Sequence, residues 1–368
     1  MRGRWQQVLV GSFCLVGSWI PALAIGQETP QPEFAEELDV TEVLLDVLVT
    51  DKSGQVIIGL GKDDFEVVDG KEPVELTSVT FYSSSELLGS KENLERYGLR
   101  VDEVAEDRYF IIFVQQQRRA AGEVPGLMSR QMEAAGALQS WVANDLQSRD
   151  LVAVVTYETR LEIVQDFTRN VEVLREAIQR AAEGQGDLQN WPSRQPAPHE
   201  GPSLARQLPT GKDLRNKTGD IYQGLQVLAR AAGSVRGRKN LVFIGRGIGE
   251  VNSFGVWQPD ARYYRPTVQT LNDNNVALYP LDVMPLGSRH SLENSLSALA
   301  TDTGGTFTRQ FTSFRTPLQA IAEENGGYYL LSYQSRKERG KSGFQNVTVK
   351  TRNPELKVRA RRGYLFGD

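Results

Sequence analysis

The sequence predicts an α/β protein built on a doubly wound, mostly parallel sheet, with a small N-terminal β-sandwich-like module and C-terminal β-strands. Continuous apolar runs at residues 109–114 and 151–157 are typical of strands buried on both faces of a sheet. Between such runs, apolar residues recur at helical spacing. Because strands and helices alternate along much of the chain, a parallel sheet covered by helices on both faces is expected.

Residues 1–24 have the pattern of a secretory signal peptide. Arg2 and Arg4 precede an uncharged apolar run over 8–25, and Ala22-Leu23-Ala24 is a small-x-small cleavage signal. Cleavage is expected after Ala24, with Gly26 as the alternative site; an uncleaved anchor is the competing interpretation. The polar, Pro-rich residues 25–37 are predicted to be a linker. We therefore expect an exported protein, and no later stretch is apolar enough to predict a transmembrane segment in the mature chain.

Cysteine usage and charge narrow the class of protein. Cys14 is the only cysteine and lies within the signal segment, so the mature chain has no thiol to form a disulfide. Export without disulfides fits a bacterial periplasm or cell surface. The formal net charge of the full sequence is −4, whereas a nucleic-acid-binding domain usually carries a basic excess.

Apolar and polar residues alternate over 38–82, as they do in short strands. Val43, Leu45, Val47 and Val49 share one face of the first strand, and a turn follows over 50–54. Further strands are predicted over 64–68 and 74–81, so this segment is expected to form a small β domain. Residues 83–107 are polar and charged, and are expected to connect it to the next domain.

An α/β domain is predicted over 108–330. Beyond the two runs already mentioned, we expect strands at 241–244, 276–281 and 306–308 and helices at 128–146, 171–181, 221–232, 261–273, 292–301 and 317–324. Residues 184–216 lack periodicity and are predicted to be a long loop. Three more strands are predicted at 328–333, 344–350 and 356–364. The C-terminal region 331–368 either extends the main sheet or pairs with the N-terminal strands, and we favour pairing.

The familiar catalytic patterns are missing from the sequence. The two histidines, His199 and His290, have no second ligand at zinc-site spacing. The glycines at 245, 247 and 249 follow a strand, but their spacing differs from that of a dinucleotide loop. No nucleophile with a base and an orienting group is evident, so the chain is not predicted to be an enzyme.

Several stretches resemble bacterial proteins, of the kind found in acidobacterial-type genomes, that are related to the von Willebrand factor type A domain. They include Asp64-Phe65-Glu66-Val67, the run 237–242 (Gly-Arg-Lys-Asn-Leu-Val), the run 275–282, Thr303-Gly304-Gly305, the run 328–333 and the closing run 359–364 (Arg-Ala-Arg-Arg-Gly-Tyr). The resemblance implies a central, mostly parallel sheet flanked by helices and a role in protein binding. It also implies a metal-ion-dependent adhesion site made of Asp-x-Ser-x-Ser, a Thr and a further Asp on three loops.

The chain departs from that adhesion pattern at nearly every position. Gln115 stands where the first acidic residue is expected, Gln117 and Arg119 occupy the two serine positions, and Arg246 occupies the third-loop position. Only Thr218 could match, with its register displaced by about one residue. Because guanidinium groups repel a divalent cation, no metal and no cofactor are expected at this degenerate site.

Two interpretations of the arginines remain open. Arg119 or Arg246 could replace the metal and receive a carboxylate of a protein partner bidentately. Alternatively, the site has decayed and both arginines are solvated. The basic stretch that includes Lys357, Arg359 and Arg361 is either an edge strand kept soluble by charge or a contact with an anionic envelope surface.

The sequence therefore predicts an exported, non-catalytic binding or scaffolding protein, periplasmic or at the cell surface, whose protein partner it does not identify. Two alternatives are an envelope enzyme related to hydrolases, with the 184–216 loop as a lid, and an architectural subunit of an envelope complex.

Overall fold

The computed structural model of the chain describes residues 38–83, 107–116, 126–184, 201–288, 290–309, 311–338 and 342–366. The predicted signal peptide and linker, most of the predicted 83–107 connector and residues 185–200 of the predicted long loop lie outside these ranges. No helix within them is both long and apolar enough to cross a bilayer.

The described residues form thirteen strands and seven α-helices. The strands are β1 (Leu38–Thr50), β2 (Phe65–Asp69), β3 (Glu72–Val74), β4 (Leu76–Ser83), β5 (Arg108–Gln115), β6 (Asp150–Tyr157), β7 (Leu161–Thr168), β8 (Lys239–Gly245), β9 (Val276–Asp282), β10 (Gly327–Glu338), β11 (Gly343–Thr351), β12 (Lys357–Arg359) and β13 (Gly363–Phe366). The helices are α1 (Leu127–Asn144), α2 (Val171–Glu183), α3 (Gly211–Lys217), α4 (Ile221–Ala232), α5 (Tyr264–Asp273), α6 (Glu293–Thr303) and α7 (Arg315–Glu324).

The central sheet has five strands in the order β7-β6-β5-β8-β9. β5, β6, β8 and β9 are mutually parallel, and β7 runs antiparallel to β6 at one edge. The first strand of this sheet, β5, lies in the middle, so the chain winds outward from it in both directions. The predicted fold class is confirmed: the sheet is mostly parallel and doubly wound.

Helices cover both faces of this sheet, which explains why its strands are continuous apolar runs. On one face, alternate residues of β5 such as Phe110 and Ile112 pack with α1, α2 and α7. On the other face, Ile111 and Phe113 pack with α3, α4, α5 and α6. Every residue of β6 and β8 is buried.

The remaining strands form a β-sandwich that draws on both ends of the described chain. One sheet has the order β12-β1-β10-β4 and the other the order β13-β11-β2-β3. β1 pairs with β10 over ten residue pairs, and β2 pairs with β11. The two sheets enclose a core that includes Leu45, Val47, Tyr329 and Leu331. Segment 38–82 is thus one half of a sandwich that the C-terminal strands complete.

Several predicted elements differ from the observed ones. The 356–364 strand is two strands, because β12 joins one sandwich sheet and β13 joins the other. Residues 306–308 are not a strand, and β7 was not predicted. The predicted 184–216 loop contains the start of α3, and its residues Leu204 and Leu208 are buried in the core. The described part of that loop is packed, and residues 185–200 lie outside the described ranges, so the lid of the alternative interpretation stays a prediction.

The sandwich contacts the amino ends of the central strands through buried charges. Arg238, just before β8, lies 3.9 Å from the carboxylate of Asp46 on β1 and donates to the carbonyl of Gly304 at 2.7 Å. Burial raises the pKa of Asp46 even though Arg238 and Arg361 act to lower it. Since parallel strands share their polarity, this contact lies at the opposite edge from the carboxyl ends.

Lys239, the first residue of β8, is buried beside this contact. Its ammonium donates to the carbonyls of Val235 and Gly237 at 2.9 and 2.8 Å, and burial lowers its pKa from 10.5 to about 8. In the folded chain this group loses its proton near pH 8, whereas the unfolded chain keeps it to higher pH. The unfolded state therefore binds more protons in this window, and stability should rise with pH.

We expect the free energy of unfolding to increase by about 2 kcal/mol between about pH 7 and about pH 9.5 because of Lys239. Urea denaturation at the two pH values measures this increment. Lys239→Met should abolish it, whereas the exposed control Lys357→Met should retain it. The same increment in both variants would show that another group is responsible.

Candidate functional site

The candidate site lies at the carboxyl edge of the central sheet, where β5 and β8 end side by side. The chain passes from β5 to β6 on one side of it and later crosses from β7 to β8 on its other side. Such a switch point leaves a crevice above the strand ends, and open α/β sheets bind ligands there. Gln115 ends β5 and Gly245 ends β8.

Gln115 uses its side-chain amide to hold the loop that follows β8. Its Nε2 donates to the carbonyl of Gly247 at 2.8 Å, and its Oε1 accepts from the backbone N–H of Arg246 at 3.0 Å. A Cβ at position 245 would lie 2.4 Å from that Oε1, so glycine is needed for this close approach. The residue at the expected position of an acidic metal ligand is thus committed to the backbone of the neighbouring loop.

Thr218 is buried and belongs to the packing beneath the edge. Its Oγ1 donates to the carbonyl of Leu214 at 2.7 Å and accepts from the N–H of Leu161 at 3.1 Å. Its carbonyl accepts from the hydroxyl of Tyr157 at 3.3 Å. These bonds fix the end of α3 against the β6–β7 hairpin, and the Thr218 side chain is fully buried, so it is not open to a partner or an ion.

Of the three remaining predicted positions, only Arg246 is described. It is half-buried at the start of the β8–α5 loop, and its guanidinium has no hydrogen-bond or ion-pair partner among the described residues. Gln117 and Arg119 follow the end of β5 but lie outside the described residues, so their roles stay predictions.

The described side chains do not fit a divalent cation at the position that the resemblance implies. Such an ion needs several oxygen ligands, preferably carboxylates. Here the Gln115 amide and the Thr218 hydroxyl have protein partners, and Arg246 brings a positive charge. Within the described ranges, no group of three or more His, Cys, Asp or Glu residues is placed to hold a metal.

A second pair of side chains lies where β9 ends. Nε2 of His290 lies 2.8 Å from Oδ2 of Asp282, and both side chains are largely buried. Oδ1 of Asp282 also accepts from the N–H of Met284 at 2.9 Å. The pair closes the loop after β9. The two residues are eight positions apart, a spacing that matches no metal-ligand motif, so the sequence did not reveal the pair.

A cavity of about 750 Å³ opens beside the edge, between the start of α4 and the β8–α5 loop. Among its titratable groups, burial raises the pKa of Tyr222 to about 12. Hydrogen bonds from Arg262 lower the pKa of Asp260. Both shifts move away from neutral pH, which is the reverse of what general acid–base catalysis needs.

The basic C-terminal stretch is largely used inside the molecule. Arg359 forms a bidentate ion pair with Glu324 on α7, at 2.6 Å for the contact to Oε1. Arg361 donates to the carbonyl of Leu44 at 2.7 Å. Lys357 donates to the carbonyl of Lys52 at 3.2 Å. Arg359 and Arg361 therefore have partners within the molecule, whereas Lys357 stays exposed, and contact with an anionic envelope surface remains a prediction.

No family model and no curated protein matches the chain. A von Willebrand factor type A protein from Catenulispora acidiphila matches with 8% identity and a TM-score of 0.39, covering 90% of this chain and 72% of the other. Proximal thread matrix protein 1 from the mussel byssus matches with 12% identity and a TM-score of 0.37; this chain spans 48% of its length, with 60% of this chain covered.

An aerotolerance-related membrane protein from Bacteroides fragilis matches with 13% identity and a TM-score of 0.38, covering 59% of this chain and 98% of the other. All three likenesses are distant. The assignment of the fold therefore rests on the strand order and helix placement described above.

Proposed function

We propose that this chain is an exported, non-catalytic protein-binding or scaffolding protein of the periplasm or cell surface. Recognition runs through a metal-free, adhesion-type site at the carboxyl edge of the central sheet. The observation that carries the proposal is the Gln115 amide, which is bound to the backbone of residues 246 and 247 where an acidic ligand would hold a metal.

Arg246 is the charged contact that we propose for this edge. A guanidinium presents a planar set of donors that matches a carboxylate bidentately. Its own backbone is fixed by Gln115, while its side chain has no partner among the described residues. Arg246 can therefore receive a carboxylate of a protein partner directly, whereas the same role for Arg119, which lies outside the described residues, stays a prediction from the sequence.

The pKa shifts in the neighbouring cavity support binding over catalysis. Tyr222 holds its proton more tightly than a free tyrosine, and Asp260 releases its proton more readily than a free aspartate. Neither is adjusted to exchange protons near neutral pH. Export is proposed from the sequence of residues 1–24.

Capture from an envelope extract of the source bacterium tests this proposal. The immobilised mature chain should retain the same partner with and without a chelator. Arg246→Ala should reduce the captured amount by about tenfold, the loss expected when one charged contact is removed. The control Arg175→Ala, on the exposed side of α2, should leave capture unchanged. Loss of capture with the chelator, or full capture by Arg246→Ala, would contradict the proposal.

A further inference from the structure

The β8–α5 loop, residues 246–263, concentrates exposed apolar side chains. Seven large hydrophobic residues are exposed among the described residues, and four of them, Val251, Phe254, Val256 and Tyr263, lie on this loop. Phe254 is 87% exposed, the largest value of the seven. Scattered single apolar residues are ordinary on a protein surface, whereas several on one loop make that loop a candidate interaction site.

The tip of this loop has a defined shape. Oδ1 of Asn252 accepts from the N–H groups of Phe254 and Val256, both at 3.0 Å. Val251 and Trp257 form an antiparallel bridge below the tip. Trp257 is buried and packs edge-on against Tyr264, with ring centroids 5.5 Å apart. Phe254 is therefore presented by a turn that is already ordered, which reduces the entropy lost on binding.

The cavity of about 750 Å³ beside this turn has an acidic, aromatic lining. Its charged and aromatic members are Asp220, Glu250, Asp260, Arg262, Tyr222 and Tyr263. Arg262 pairs with Asp260 at 2.8 Å, which neutralises one carboxylate. Asp220 caps α4 through the N–H of Gln223, and Glu250 has no hydrogen-bond or ion-pair partner among the described residues. Two negative charges therefore remain to attract a cation.

We propose that this loop and cavity bind a protein segment in which a Lys or Arg side chain adjoins an apolar residue. The cation enters the cavity near Glu250 and Asp220 and beside the ring of Tyr222, because the Arg262 guanidinium already lies over the ring of Tyr263, 5.3 Å from its centroid. The apolar residue packs against Phe254. Nucleic acids and anionic lipid surfaces have the wrong charge for this lining.

This inference rests on the proposed binding function and names the chemistry of the partner that would bind beside the carboxyl edge of the central sheet. A partner that fits both features presents a carboxylate to Arg246 and a basic residue to the cavity. The glycine of Gly249, with φ of +84°, allows the loop to pass close to Tyr222, since a Cβ there would lie 2.5 Å from its hydroxyl. Residues 246–250 therefore connect Arg246 directly to the wall of the cavity.

Fluorescence anisotropy with two short labelled peptides tests the inference on the full mature chain. One peptide carries Lys-Leu-Lys in a Gly-Ser background, and the other carries Glu-Leu-Glu in the same background. The basic peptide should bind at least about tenfold more tightly, because the lining favours one sign of charge. Glu250→Lys and Phe254→Ser should each weaken it by about fivefold or more, as expected for central contacts.

The control is Glu355→Lys, which reverses another exposed carboxylate, between β11 and β12, with a side chain 71% exposed. This control should leave the affinity for the basic peptide unchanged. Equal affinities for the two peptides, or equal losses in Glu355→Lys and Glu250→Lys, would overturn the inference.

Capture by the same variants separates the two proposals. In one outcome, capture of the partner depends on Arg246, but Glu250→Lys and Phe254→Ser change neither peptide selectivity nor capture. The cavity is then not a contact, and the carboxyl edge of the sheet remains the binding site. In another outcome, the peptides respond as expected but a chelator abolishes capture. The inference about the cavity is then supported, and the proposal of a metal-free edge is contradicted. Glu250 and Phe254 are exposed, so their variants should fold normally, which a thermal melt verifies.

Discussion

Asp150→Ala should lower the free energy of unfolding by about 3–5 kcal/mol, because it leaves a buried guanidinium without its counter-ion. Nε of Arg108 donates to Oδ1 of Asp150 at 2.7 Å, and both side chains are almost fully buried. The carbonyl of Ala322 on α7 would remain as a partner, at 2.7 Å, but it carries no charge. Urea denaturation at neutral pH measures the loss.

Two further variants show whether the buried charge is the cause. Glu355→Ala removes an exposed ion pair with Lys52 and should cost less than about 1 kcal/mol. The double variant Arg108→Met with Asp150→Leu removes both charges and should recover most of the loss. If Asp150→Ala were no more costly than Glu355→Ala, the ion pair would not stabilise the junction of β5, β6 and α7.

Gly247→Ala should destabilise the chain by about 2–5 kcal/mol, through backbone strain and a steric clash. Gly247 has φ of +117°, which an L-residue with a side chain rarely adopts, and a Cβ would lie 2.6 Å from the carbonyl oxygen of Leu292. The clash would push the loop away from α6, where Oγ of Ser295 accepts from the N–H of Ile248 at 2.9 Å. Thermal or urea unfolding measures the effect.

Gly136→Ala provides the opposite control. Gly136 is exposed within α1, and a Cβ there would meet nothing within 4 Å. This substitution should stabilise the chain by about 0.5–1 kcal/mol, because alanine loses less backbone freedom in a helix. A Gly247→Ala chain as stable as the unmodified one would mean that the loop is free to move away from α6.

The central sheet could be predicted because burial on both faces leaves a signal in the sequence. The strands that became β5, β6, β8 and β9 are uninterrupted apolar runs, and the periodic stretches between them became helices. β7 left no such run, since only Leu161 and Ile163 alternate with partly exposed residues at the sheet edge. An edge strand with so short an alternation resembles a loop.

The C-terminal strands show a second limit of prediction from the sequence. Alternation in residues 356–364 predicts strand structure but does not say which sheet each part joins. In the structure β12 pairs with β1, and β13 pairs with β11 in the opposite sheet. In the same region Arg359 pairs with Glu324, and Arg361 donates to the carbonyl of Leu44. These partners depend on how the sandwich packs against the rest of the chain, and the periodicity of a strand carries no information about that packing.

For the site, the residue types could be predicted and their partners could not. The sequence places amide and guanidinium groups where carboxylates are expected after β5 and β8. The bond between Gln115 and Gly247 joins residues 132 positions apart. Phe254 and Glu250 had no pattern that marked them, because exposure and cavity lining arise only when the loop folds against α4 and α5.

Titration calorimetry of the chain with Mg²⁺, and separately with Ca²⁺, tests the central claim most directly. With the Gln115 amide already bound to the loop after β8 and Arg246 beside it, neither ion should release saturable heat at millimolar concentrations. Saturable binding of either ion that disappears in Gln115→Ala would contradict the account, since it would place a cation at the edge that we propose to be metal-free.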